Sequence, residues 1–134
     1  MTGMTALLLF AAWTLVLMSI YVLPRVALVL AMKKKANAWT RGLPSEDAPL
    51  LVRAQHAHMN CVENLPVYGA IVLAAFALGK NPVVDALACV FIGLRVAQSV
   101  VHLISTSHWM VFLRANLFIA QLLLCAWMIW GLLQ

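Results

Sequence analysis

Hydrophobic positions in this chain gather into four long runs, at about residues 5–32, 54–79, 82–104 and 110–133. Each is as long as the roughly 20 mainly apolar residues a helix needs to cross the hydrocarbon core of a bilayer. The breakers between the later runs are short. GKNP at 79–82 makes a tight turn that leaves its flanking helices antiparallel, and STSH ends the third run at 105–108. The one long connection, residues 33–53, contains the irregular stretch ANAWTRGLPSEDAP. Ser45 or Asp47 is a suitable N-cap for the second helix, and Pro49 suits its first turn. Trp109 starts the fourth run, and Trp127 and Trp130 fall toward its other end, as an aromatic belt requires. The pattern predicts an all-α integral membrane protein in which one four-helix domain occupies residues 1–134.

Composition agrees with this reading: 65% of the 134 residues are hydrophobic and only 10% are charged, with a mean hydropathy of +0.97. A soluble domain of this length needs a more polar surface. The first run lacks a basic leader and a small-residue cleavage site, so it is expected to stay as a helix. Cys61, Cys89 and Cys125 form no CxxC pair and read as small apolar residues. The net charge is +5, and its placement is more informative than its size. Lys33, Lys34, Lys35, Arg41 and Arg53 crowd the long connection against Glu46 and Asp47, while the opposite side offers little beyond Lys80 and Asp85. The positive-inside rule then puts residues 33–53 and the 105–109 turn in the cytoplasm and both termini on the other side. These cations act as topology determinants, and no nucleic-acid partner is expected.

Against this background the segment RAQHAHMNCVEN, residues 53–64, stands out as a polar entry into an apolar span. Ionisable groups at that depth usually face a bundle interior or an aqueous cavity and mark function. Using a rise of about 1.5 Å per residue, Arg53–Asn64, Arg95–His102 and Arg114–Asn116 all fall in the cytoplasmic half. Arg53, His56, Asn60, Glu63 and Asn64 share one helical face, and Arg95, Gln98 (or Ser99) and His102 share another. Two or three arginines against one glutamate, with amides and imidazoles between, suit a small ligand with several carboxylates and an amine. Simpler readings exist for single residues. Arg53 can snorkel to headgroups, Asn60 can join helices, and Glu63 with Arg95 can form a structural ion pair. His56 and His58 point to different faces, so no metal site is expected, and the methionines read as packing. Arg25 either lines the cavity or pairs elsewhere.

At these residues the sequence resembles the membrane-associated proteins in eicosanoid and glutathione metabolism, the MAPEG family. The resemblance rests on Arg53 and AHMNCVENLP in the second run, LRVAQSVVHL at 94–103 and RANLFIAQLLL at 114–124. It implies a left-handed four-helix bundle assembled as a homotrimer, with glutathione as co-substrate bound between subunits near the cytoplasmic face, and no metal. Carried over by position, it implies glutathione contacts at Asn60 and Glu63, and a surrounding polar cluster of Arg53, His58, Asn64, Arg95, Gln98 and His102. A basic residue of the lysine triplet, such as Lys34, would reach a carboxylate, and Arg114 would face the thiol.

Departures from the eicosanoid-forming members occur at His56 and Met59, where relatives carry arginine, at His102 for a tyrosine, and at Ala115 for a serine. They favour the general detoxifying branch, closest to bacterial members and so to a bacterial inner membrane rather than the endoplasmic reticulum. The expected activity is transfer of glutathione to lipophilic electrophiles entering from membrane lipid between the first and fourth helices, with a possible peroxidase activity toward lipid hydroperoxides. Two other classes compete: a non-enzymatic lipid- or glutathione-binding protein of the same fold, and a small four-helix multidrug exporter working through Glu63. Conjugating activity separates the first from the transferase, and proton-coupled transport lost in Glu63→Gln would identify the second.

Overall fold

A computed structural model describes residues 1–40 and 45–134; Arg41, counted above among the loop cations, lies outside the described residues. Among the described residues four helices follow in order: α1 (Gly3–Leu30), α2 (Pro49–Ala77), α3 (Asn81–Ile104) and α4 (His108–Leu133). All four are long and apolar enough to cross a membrane.

The helix ends follow local chemistry. The Thr2 side chain caps α1 by accepting from the Thr5 N–H at 3.1 Å. The second helix starts at Pro49, five residues before its apolar run, because proline at the first helical position gives up a donor that would have no partner there. Neither Ser45 nor Asp47 caps it: Ala48 holds that place, and the Asp47 carboxylate turns toward α1 instead. The α2 helix closes with Lys80 N–H on Ala75 O (2.9 Å) and Gly79 N–H on Phe76 O (3.2 Å), with Gly79 at φ 67°. That left-handed position favours glycine. The α1 end uses the same closure with Met32 at φ 56°, where Lys33 N–H reaches Leu28 O at 2.9 Å. Both α1 and α2 continue through their internal prolines, Pro24 and Pro66.

Helices α2 and α3 pack against each other at the centre, with α1 against both and α4 against both; α1 and α4 do not touch. The bundle is therefore a rhombus whose long diagonal separates α1 from α4. Its interior holds a cluster of three rings. Tyr68 and Phe91 stack at 3.9 Å with planes 5° apart, and Phe10 lies 6.3 and 6.0 Å from them. Leu17, Ile71, Val84 and Met128 complete this core. Leu8, Leu23, Phe76, Leu123 and Trp127 point outward, an apolar exterior that suits lipid and would be costly in water.

Candidate functional site

The polar residues singled out above collect at the bundle end that carries the α1–α2 connection and the short α3–α4 turn. They do not form one cluster there. They divide into an inner network and an outer basic group.

Arg95 is the centre of the inner network. It is 0% exposed, in the middle of the bundle. Its Nη1 donates to Asn60 Oδ1 at 2.6 Å and to Gln98 Oε1 at 2.9 Å. Gln121 of α4 donates to the same Gln98 oxygen at 3.1 Å. The guanidinium carbon lies 5.1 Å from the centre of the Phe10 ring, so the face of that ring meets the charge. Ser99 Oγ donates to the Arg95 carbonyl at 3.0 Å and lies 3.6 Å from Cys61 Sγ. Among the described residues no carboxylate pairs with Arg95, and its Nε and Nη2 form no hydrogen bond. The alternative of an Arg95–Glu63 ion pair is therefore not what the chain forms. Burying an ion costs several kcal/mol. Two hydrogen bonds to a charged group, at about 1.5–3 kcal/mol each, and a desolvated cation–π contact of about 2 kcal/mol offset that cost.

The outer group contains Arg53, His56, His102 and Arg114. Arg53 donates through Nε to the Leu103 carbonyl at 2.8 Å, tying the start of α2 to the last turn of α3. The His56 and His102 rings are 6.2 Å apart. Arg53, His56 and Arg114 are neighbours of His102. Arg114 is half-buried and forms no hydrogen bond or ion pair with another described residue. One turn along α2 from Asn60, Glu63 is exposed and likewise without a partner.

Other candidates point elsewhere. His58 turns to α1, where its Nδ1 lies 3.0 Å from the Tyr21 hydroxyl. Asn64 donates to the Asn60 backbone carbonyl at 2.8 Å, and Asn116 makes the same local bond to Phe112. Lys34 pairs with Glu46; the pair is solvent-exposed, so it commits Lys34 only weakly. The hydrogen bond and charge of Lys34 hold the Glu46 carboxyl below its ordinary value. Arg25 binds Asp47 and also donates to Gln55 Oε1 at 2.7 Å, which answers the question its position raised.

Sequence reasoning did not single out Gln121, Phe10 or Tyr21. Gln121 carried a usable signal, since it lies seven residues after Arg114 and so on the same face of α4. Phe10 and Tyr21 carried none, because an aromatic residue in an apolar span looks like packing.

Electrostatically the end is unbalanced. Asp47 and Glu46 are engaged by Arg25 and Lys34, leaving Arg53, Arg95 and Arg114 without a carboxylate among the described residues. Cavities of about 210 and 300 Å³ border Asp85 at the far end and Trp39 beside α1, and these arginines line neither of them. Arg53 and Arg114 are half-buried at the surface of the single chain, while Arg95 is sealed inside. No group of His, Cys, Asp or Glu among the described residues is arranged to hold a metal, and the three cysteines are free thiols.

Comparison with curated proteins and with solved structures gives no match. The model of the MAPEG family matches residues 3–134, nearly the whole chain, and the protein accordingly belongs to this family of membrane proteins of glutathione and eicosanoid metabolism.

Proposed function

We propose that this protein is a membrane glutathione transferase that conjugates glutathione to lipophilic electrophiles. The observation that carries the reading is the set of arginines, Arg53, Arg95 and Arg114, gathered at one end of an apolar bundle with no carboxylate partner among the described residues. Such a set calls for an anionic ligand. Glutathione brings two carboxylates, and its ammonium group suits the unpartnered Glu63. Arg53, Asn60, Glu63, Gln98 and His102 form the wall we assign to it. Arg95 supports that wall from inside, and Lys34, His58 and Asn64 lie at its margins.

A free thiol with a pKa of about 8.5 is mostly protonated at neutral pH, and the thiolate is the nucleophile. A guanidinium beside the sulfur favours the thiolate. Arg114 is available for this task because it forms no hydrogen bond or ion pair with another described residue. The thiol proton leaves to water, the sulfur forms a bond to the electrophilic carbon, and the leaving group departs with its electron pair. Lipid hydroperoxides are a second substrate class open to the same thiolate.

The active unit in this proposal is a homotrimer in a bacterial inner membrane, with both termini on the non-cytoplasmic side. Two features support assembly: Arg53, Glu63 and Arg114 are half-buried or exposed in the single chain, and α1 and α4 do not pack against each other. A crevice between those two helices for the lipophilic substrate must then be built with a neighbouring copy. The test is conjugation of glutathione to a chlorinated dinitrobenzene by the purified protein in lipid. Saturable turnover lost in Arg114→Ala is expected, and absence of turnover in the wild type would overturn the proposal.

A further inference from the structure

A guanidinium has five N–H donors and no acceptor. Any amide that hydrogen-bonds it must offer its oxygen, which removes the usual ambiguity between the two ends of an Asn or Gln side chain. Arg95 makes this contact twice from one nitrogen, to Asn60 Oδ1 and Gln98 Oε1. Gln121 reinforces the second by donating to the same Gln98 oxygen while also donating to Leu117 O at 2.9 Å. Both carbonyls therefore point inward to the charge. The two amide nitrogens, Asn60 Nδ2 and Gln98 Nε2, form no hydrogen bond within the chain. With each oxygen held on Arg95, the N–H groups of half-buried Asn60 and of Gln98, which is 3% exposed, lie on the opposite side of their amides.

We infer that buried Arg95 is a positioning residue that locks the Asn60 and Gln98 amides carbonyl-inward, making this wall a donor surface for an anionic group of the ligand. Arg95 thus sets the polarity of a site it does not line, since it is fully buried. A neutral residue in its place would let each amide turn and present an acceptor, which repels anions. The inference rests on the glutathione reading for the identity of the ligand but not for the orientation of the amides. Two groups share the required chemistry, a glutathione carboxylate and the thiolate.

The experiment uses the full-length protein in lipid and has two parts. The first needs no ligand. Asn60→Asp places a carboxylate oxygen where Oδ1 accepts from Arg95, and the variant is expected to melt no lower than the wild type. A clear fall in its melting temperature would overturn the orientation, whatever glutathione does.

The second part measures binding of glutathione, its diethyl ester and S-methylglutathione by equilibrium dialysis. Asn60→Asp should weaken glutathione about tenfold or more, the worth of a charge-assisted hydrogen bond. Arg95→Gln should weaken glutathione by a similar factor and Arg95→Lys much less, because lysine is also a pure donor. Arg95→Gln should also reduce the preference for glutathione over one analogue. A reduced preference over the diethyl ester assigns a carboxylate to the wall, and over the S-methyl compound the thiolate. Equal weakening of all three ligands, or no weakening, would reduce Arg95 to a packing residue and overturn the inference. Failure of the wild type to bind glutathione would sink the functional reading, while the melting comparison would still decide the orientation.

Discussion

Arg25 on α1 holds Asp47 through Nε at 2.8 Å and Nη2 at 2.5 Å, fastening the residue just before α2 to the preceding helix. Trp39 adds its indole N–H to the other carboxylate oxygen at 2.9 Å, and the Arg25 guanidinium lies 4.8 and 5.4 Å from the Tyr21 and Trp39 ring centres. The pair is well shielded, with 13% and 6% of the side chains exposed. Asp47→Asn should therefore lower stability by about 1–3 kcal/mol, the cost of a broken bond to a charged group. Thermal unfolding in detergent measures this.

The same pair sets an acid limit. Burial pushes the Asp47 carboxyl up, but hydrogen bonds from Trp39, Arg25 and Ser45 and the charge of Arg25 outweigh it and hold the group below its ordinary 3.8. A carboxyl that titrates lower in the folded chain stabilises it above the unfolded value, and the benefit is lost as pH falls through the folded value. Emission from Trp39, taken as wild type minus Trp39→Phe, should stay constant from neutrality down to the carboxylate range and change only below it. Asp47→Asn should abolish the transition; a transition that survives the substitution would assign it to another group.

Removal of Arg114 should separate stability from turnover. Arg114 has no partner to lose, so Arg114→Ala should change folding stability by no more than about 0.5 kcal/mol, the usual range for a side chain without structural contacts. Its turnover should fall on the order of 100-fold, as when an electrostatic contact to the reacting group is deleted. Calorimetry and conjugation rates on one preparation make the comparison.

Glu63→Gln keeps the shape of the side chain and removes only its charge. With no partner among the described residues, the change should leave the melting temperature in place and weaken glutathione through the lost ammonium contact, about tenfold. Dialysis binding against the wild type is the check. Proton-coupled export lost in this variant would instead favour a transporter.

A fold prediction concerns the opposite end. A Cβ at Gly3 would meet Val84 Cγ1 at 2.6 Å and its Cβ at 3.2 Å, beside the bond from Gly3 N–H to Asp85 Oδ1 at 2.6 Å. A β-branched neighbour cannot swing clear, so Gly3→Ala should cost about 1–3 kcal/mol. The glutathione KM should not change.

The four helices were legible because apolar runs of this length have few other uses. The gathering of Arg53, Asn60, Arg95, Gln98, His102 and Arg114 at one end was legible from rise per residue and helical spacing. What spacing could not give was the partner on the facing helix. The resemblance groups His58 with Asn60, but two residues along a helix point apart, and one meets Tyr21 of α1 while the other meets Arg95 of α3. Burial was equally hidden: the pattern places Arg53 and Arg95 in one polar cluster, but one reaches the last turn of α3 and the other is sealed inside. The role of Asp47 was misread as capping because its partner, Arg25, lies 22 residues earlier, beyond any local rule.

The most direct test of the central claim is titration of the purified protein with glutathione while following the ultraviolet absorbance of the thiolate. A saturable rise at neutral pH, lost in Arg114→Ala although that variant still binds glutathione, is the predicted result. Saturable binding with no thiolate signal would contradict activation by Arg114, and absence of binding would contradict the glutathione site itself.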